Sequence, residues 1–216
     1  MGEFLFSEDS FMDIKIIENI TFDVSLRRIL IRMGYSAREE IPEEEYAFVE
    51  QNLAEMLALC VPKIATAELN VEKVADGKIF LEENISFRST SLLKTLGNSV
   101  RVMIYAATIG SAVERMSARF SEDGKYKLSL LWDSFGSEAA EVLAQKISLM
   151  AHQRAKMKRM RITSRYSPGY GDLDVMGNRK IIELLDADKI GMKCEDSGML
   201  LPRKSTTGII GYRRID

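Results

Sequence analysis

The stretch Val102-Met103-Ile104-Tyr105-Ala106-Ala107 (V-M-I-Y-A-A) is apolar at every position. Successive side chains of a strand point to opposite faces, so a run apolar on both parities predicts a strand covered on both sides. Just downstream, Ser111-x-x-Glu114 has the spacing of a capping box, and Val113, Met116 and Phe120 form the apolar stripe of the helix it would open. The longest predicted helix runs from about Tyr126 toward Lys156, with Leu128, Leu131, Phe135, Val142, Leu143 and Ile147 inward. Gly136 inside it costs about 1 kcal/mol relative to alanine, which points to close helix packing there.

Upstream, V-E-K-V-A-D-G-K-I-F-L-E (Val71–Glu82) reads as a hairpin turning at Asp76-Gly77. Met12–Ile17 reads as a short strand, and Ser25–Met33 and Glu43–Cys60 as helices. In the second helix Tyr46, Val49, Leu53, Met56, Leu57 and Cys60 lie opposite Glu45, Gln51 and Glu55. After the long helix, Arg161–Arg165 is a predicted strand leading into the Pro168-Gly169 turn. Asn178–Leu185 follows as a short helix and Ser205–Tyr212 as a closing strand. The expected fold class is α+β, a twisted antiparallel or mixed sheet with packed helices. It would form one domain over residues 1–216, with a soft internal boundary near residues 89–98.

Composition narrows the function. The chain has 216 residues, 46% apolar and 29% charged, with a net charge of −2, as expected of a soluble globular protein without a general affinity for nucleic acid. No apolar run is long enough to span a membrane. Met1-Gly2-Glu3-Phe4 does not look like a signal peptide, so a cytoplasmic location is expected. Cys60 and Cys194 are isolated and read as reduced packing residues. His152, the one histidine, reads as a helix-surface residue. That inventory argues against a His/Cys metal site and a His-dependent triad.

Three charged stretches stand out. Arg154–Arg165 holds six basic residues and no acid. It reads as a solvated helix end, with a docking face for an acidic redox partner as the sharper alternative and RNA binding as the weakest. Glu195-Asp196-Ser197 reads as an acidic turn, and Pro202-Arg203-Lys204-Ser205 as the start of a strand or a phosphate contact. The strand-Gly110-helix junction lacks the G-x-G-x-x-G of a dinucleotide fold.

The segments D-S-F-G-S-E-A-A-E (Asp133–Glu141), R-Y-S-P-G-Y-G-D (Arg165–Asp172) and I-G-M-K-C-E-D-S-G-M-L-L-P-R-K-S-T-T-G (Ile190–Gly208) occur in that order. In order and spacing they resemble the activation domain of cobalamin-dependent methionine synthase, most of all its short stand-alone members. The resemblance covers roughly residues 106–208. It implies a domain that binds S-adenosylmethionine and presents its methyl group to a cobalamin carried by a partner chain. The corrinoid is first reduced from cob(II)alamin to cob(I)alamin by one electron from a flavodoxin-type donor. The implied partner is a cobalamin-dependent methionine synthase lacking its own activation domain, for which this chain would act in trans.

Carried over by the same resemblance, the ligand site falls on Arg165, Ser167, Pro168, Gly169 and Tyr170. A guanidinium offers two parallel donors to the ligand carboxylate. Ser167, Pro168 and Gly169 supply a stiff, closely approachable backbone, and Tyr170 a ring and hydroxyl beside the sulfonium. The chain departs from the longer members in three places. Arg159 stands where they carry an acid, Gly171-Asp172-Leu173-Asp174 replaces a proline-rich segment containing a histidine, and Tyr212 is not equated with the further tyrosine they supply beyond the closing strand. These departures keep a second expectation open, a catalytically silent module that docks a corrinoid protein or flavodoxin-type partner. From residue types alone, the loop also reads as a plain strand-ending turn with Arg165 solvated and Tyr170 packed.

Overall fold

The computed structural model describes residues 12–215. In chain order the elements are β1 (Lys15–Ile17), α1 (Leu26–Arg32), α2 (Glu43–Ala58), β2 (Lys63–Ala75), β3 (Lys78–Leu81), β4 (Ile85–Arg88) and α3 (Thr90–Leu96). They continue with β5 (Arg101–Thr108), α4 (Ala112–Glu122), α5 (Tyr126–Met157), β6 (Met160–Ile162), α6 (Gly177–Leu184), a 3-10 turn (Ala187–Ile190), β7 (Lys193–Cys194), β8 (Leu200–Leu201) and β9 (Ser205–Arg214). The fold is α+β: a curled, wholly antiparallel seven-stranded sheet with six helices among the described residues.

The apolar run of residues 102–107 is β5, at the middle of the sheet order β4-β3-β2-β5-β9-β6, with β1 beside the first half of β2. β5 pairs with β2 from Asn70↔Arg101 to Lys63↔Thr108, and with β9 from Arg101↔Tyr212 to Thr108↔Ser205. β2 precedes residues 89–98 and β9 follows them, so strands from both sides of that stretch belong to one sheet.

Both parities of β5 are buried because both faces of the sheet are covered. Met103, Tyr105 and Ala107 join Ile64, Ile210 and Tyr212 against α1, α2, α4 and α5. Val102, Ile104 and Ala106 join Ala65, Leu69 and Ile209 against α3 and α6. Trp132, Phe135, Leu143 and Ile147 carry α5 across the first face. Gly136 sits where α5 passes close to Val113 of α4 and to Lys204. A Cβ there would stand 3.0 Å from Val113 Cγ1 and 3.1 Å from two carbons of Lys204. Close packing is therefore the reason for this glycine.

The Asp76-Gly77 hairpin forms as predicted, with φ of 53° and 71° at the two turn residues, the left-handed pair of a type I′ turn. Arg161–Arg165 is strand only in part. After β6 Thr163 N–H still donates to the Gly211 carbonyl at 2.9 Å; the pairing then breaks and resumes as a single bridge at Tyr166↔Ile209.

Two local predictions are corrected. The Ser111/Glu114 capping box does not form, because Ser111 has helical backbone angles and makes no cap bond. Its hydroxyl is taken by the Arg115 guanidinium, and Glu114 accepts from the Arg203 backbone N–H at 2.7 Å. Glu45 is not on a solvent face either. It accepts from Lys127 at 2.8 Å, which holds its carboxyl below the usual range against the opposing effect of burial.

Candidate functional site: the loop after β6

The loop Arg165–Asp174 leaves the sheet edge at the Tyr166 bridge, where N–H and C=O both exchange with Ile209, at 3.0 and 2.8 Å. Strand alternation sends the two residues at the edge to opposite faces. Arg165 reaches the α5 side and donates from Nη2 to Glu141 Oε1 at 2.8 Å. Its side chain is only 27% exposed. Burial works against the cation there, but the neighbouring Tyr105 phenol and Glu141 outweigh it and leave the guanidinium pKa raised. The Tyr105 hydroxyl itself is buried and has no hydrogen-bond partner among the described residues, and burial pushes its pKa up.

Tyr166 goes to the α3/α6 side. Its hydroxyl donates to the Tyr170 carbonyl at 3.1 Å, and its ring meets that of Tyr170 edge-on at 6.2 Å between centroids. The Tyr170 side chain is 62% exposed. The plain-turn reading is thereby reversed at both residues: Arg165 is paired and half-buried, and Tyr170 stands in the open.

Three anchors hold the loop. Ser167 Oγ donates to the Thr207 carbonyl at 2.6 Å, tying it to β9. Gly169 N–H donates to the Leu173 carbonyl at 2.9 Å and Leu173 N–H to the Tyr170 carbonyl at 3.0 Å, closing the turn on itself. Asp172 accepts from Ser89 Oγ at 2.5 Å, Thr90 N–H at 2.7 Å and Ser91 N–H at 3.0 Å, joining the loop to the start of α3. Those bonds, with the Ser89 hydroxyl foremost, hold the Asp172 carboxyl well below the usual carboxylate range. Gly171 lets the chain pass this point. Its φ is +53°, and a Cβ would come 2.5 Å from Tyr166 Oη and 2.9 Å from Ser91 Oγ. Pro168 is buried, with Cγ 3.1 Å from where a Cβ of Gly177 would sit at the first residue of α6.

The second half of the loop borders a cleft of about 540 Å³ whose walls include Phe87, Arg88, Asp172, Asp174 and Lys180. That volume is in the range of small-molecule sites.

All five predicted residues thus lie on one turn, but Arg165 and Tyr170 occupy opposite sides of the sheet edge. Glu141, Tyr105 and Asp172 were not assigned a role from sequence. Glu141 lies inside the D-S-F-G-S-E-A-A-E segment, and that was the available signal. Among the described residues no group of three or more His, Cys, Asp or Glu is placed to hold a metal ion, and no helix is long and apolar enough to cross a membrane.

No protein-family model matches the chain, and no curated protein matches it. Among solved structures, the crystal structure of the MetH reactivation domain bound to AdoHcy has the same fold. Its TM-score is 0.67 over 95% of this chain and 80% of that chain, at 13% sequence identity.

Proposed function

We propose that this chain is an activation module for a corrinoid-dependent methionine synthase, binding S-adenosylmethionine at the loop after β6 and acting on a partner that carries the cobalamin. The observation that carries the proposal is the position of R-Y-S-P-G-Y at the sheet edge of a fold shared with a reactivation domain that binds AdoHcy. AdoHcy is what S-adenosylmethionine becomes when its methyl group leaves. Bound here, S-adenosylmethionine would supply a methyl group on a sulfonium leaving group.

The residues of the chain would provide position in place of acid-base catalysis. Arg165, held by Glu141, presents a fixed guanidinium for the ligand carboxylate. The Ser167–Gly169 backbone is pinned at Thr207 and closed at Leu173, so it loses little freedom on binding. Tyr170, exposed and supported edge-on by Tyr166, offers its ring to the cationic sulfur. The cobalamin, the synthase that carries it and a flavodoxin-type electron donor all belong to other chains in this reading.

One observation favours the silent docking module instead. Arg165 Nη2 is already taken by Glu141 and Ser167 Oγ by Thr207, so two of the five residues are committed within the chain. Calorimetric titration of the full chain with S-adenosylmethionine, alone and with a cobalamin-loaded synthase lacking an activation domain, separates the two. Saturable binding, with restored turnover of the inactivated synthase, supports the activation role. Association with the synthase but no affinity for S-adenosylmethionine assigns the docking role. No association at micromolar concentrations overturns both.

A further inference from the structure

At the C-terminal end of α5, by helical rise about 20 Å from Glu141, a cleft of about 420 Å³ opens between β1, β2 and the last turns of the helix. Its lining includes Lys15, Arg101, Arg154 and Lys158 against Asp13 and Glu68, an excess of two positive charges. Glu68 is the hub. Lys158 Nζ lies 3.0 Å from it, Arg101 Nη1 3.4 Å and Arg154 Nη1 3.5 Å, and Tyr212 Oη donates at 3.2 Å. Burial raises the Glu68 carboxyl pKa, but Lys158, Tyr212 and Arg154 outweigh it and leave the group ionised at lower pH than usual. Arg101 is also fixed at its Nε, which donates to Asn70 Oδ1 at 3.0 Å.

One carboxylate and the negative end of the α5 dipole account for part of this convergence. They do not account for Thr66. Its side chain is 0% exposed, it lines the same cleft, and its hydroxyl has no hydrogen-bond partner among the described residues. An unpaired buried hydroxyl is costly, and an acceptor bound in the cleft would remove that cost. Three cations gathered by one carboxylate beside an unused hydroxyl are the complement of an anion with several acceptor oxygens.

We propose that this cleft is a second ligand site, for a phosphate-type dianion. Arginine matches phosphate geometry with paired donors. Arg101 and Arg154 would share their donors between Glu68 and the ligand, Lys158 would supply a point charge, and Thr66 Oγ1 would donate the remaining bond. The cleft is larger than a phosphate alone, which leaves room for an organic group attached to it.

The test is the melting temperature and calorimetric affinity of the full chain with inorganic phosphate, against chloride at matched ionic strength. Saturable binding is expected. Thr66→Val should melt no lower than the parent without phosphate, since it removes an unpaired polar group, and should bind phosphate roughly tenfold more weakly. Lys158→Gln, at a half-exposed position where folding is not at stake, should lose affinity by a similar factor. Glu68→Gln, which removes the competing anion, should bind more tightly than the parent. Glycerol phosphate binding at least as tightly as inorganic phosphate would identify the ligand as an ester, and weaker binding would identify it as the free ion. A phosphate response no larger than that to chloride, or parental affinity in both Thr66→Val and Lys158→Gln, overturns the proposal.

Discussion

Replacing Arg165 should separate ligand binding from folding. The Arg165–Glu141 pair is 2.8 Å long, with the arginine 27% and the glutamate 37% exposed. An ion pair this open to solvent is screened and contributes about 0.2–1 kcal/mol. The buried part of the arginine stem adds a few tenths through lost packing. Arg165→Ala and Glu141→Gln should therefore each cost about 1 kcal/mol, a fall of roughly 2–4 °C in Tm for a chain of this size. The double variant should cost little more than one single change, because either one already removes the interaction.

Ligand binding should divide differently. A charge-assisted contact to a carboxylate contributes about 1.5–3 kcal/mol, so Arg165→Ala should weaken S-adenosylmethionine binding by roughly 10- to 150-fold. Glu141→Gln keeps the guanidinium and should stay within about threefold of the parent, close to 0.65 kcal/mol on the same scale. Arg165→Lys should not restore affinity, since it loses the paired donors. Calorimetry and thermal melts on the parent and the four variants give all the numbers. Equal loss of affinity in Arg165→Ala and Glu141→Gln would mean that the pair acts only by shaping the loop, and unchanged affinity in Arg165→Ala would refute the contact.

Other outcomes follow from single positions. Gly136→Ala gains about 1 kcal/mol of helix propensity but drives a Cβ into Val113, which is buried, and into Lys204, which is tied to Asp133 at 2.7 Å and Ser137 at 2.9 Å. Overpacking of about 1–3 kcal/mol should win, so Tm should fall; a rise would show that Lys204 gives way freely. The Asp172 carboxyl is depressed in the fold, so its stabilisation is fully present above the unfolded pKa of about 3.9 and fades as pH falls through the lower folded value. Melts from neutral to acid pH should therefore show the parent's advantage over Asp172→Asn shrinking toward the acid end, and a constant gap would contradict the anchor. Burial pushes the Cys60 thiol up to about 12, so at pH 8 it should react with a thiol reagent more than tenfold slower than a free cysteine; rapid labelling in a single-cysteine variant lacking Cys194 would show the site to be open.

The fold was legible where one residue pattern has one physical solution. A run apolar on both parities has to lie between two covered faces, and residues 102–107 do. Asp-Gly between alternating segments has to turn with positive φ, and residues 76–77 do. The misreadings share a different cause, competition from side-chain and backbone partners that the local pattern does not specify. The capping box at Ser111 lost to Arg115 and to the Arg203 backbone, and Glu45 left its solvent face for Lys127, 82 residues away. The candidate site follows the same division. Its five candidate residues, Arg165 and Ser167 to Tyr170, fall in one short stretch where the resemblance places them. Glu141, Tyr105 and Asp172 act across 24 residues or more, and local pattern carries no information at that range.

That long-range geometry also constrains what the loop can hold. The Tyr166 bridge fixes strand parity at the sheet edge, which commits Arg165 to the α5 side with Glu141 and Tyr105. The same bridge commits Tyr166 to the α3/α6 side, where Tyr170 meets it edge-on. A ligand that touches both the guanidinium and the Tyr170 ring must therefore cross the edge over residues 167–169. A compact anion reaches Arg165 alone, and a flat aromatic reaches Tyr170 alone. An elongated molecule with a carboxylate at one end and a cationic centre farther along satisfies both, and it lies over the part of the loop that Thr207 and Leu173 hold in place. S-adenosylmethionine, the ligand proposed for this loop, has that charge order, so on that proposal it would lie across the sheet edge and its fragments would each meet only one of the two side chains.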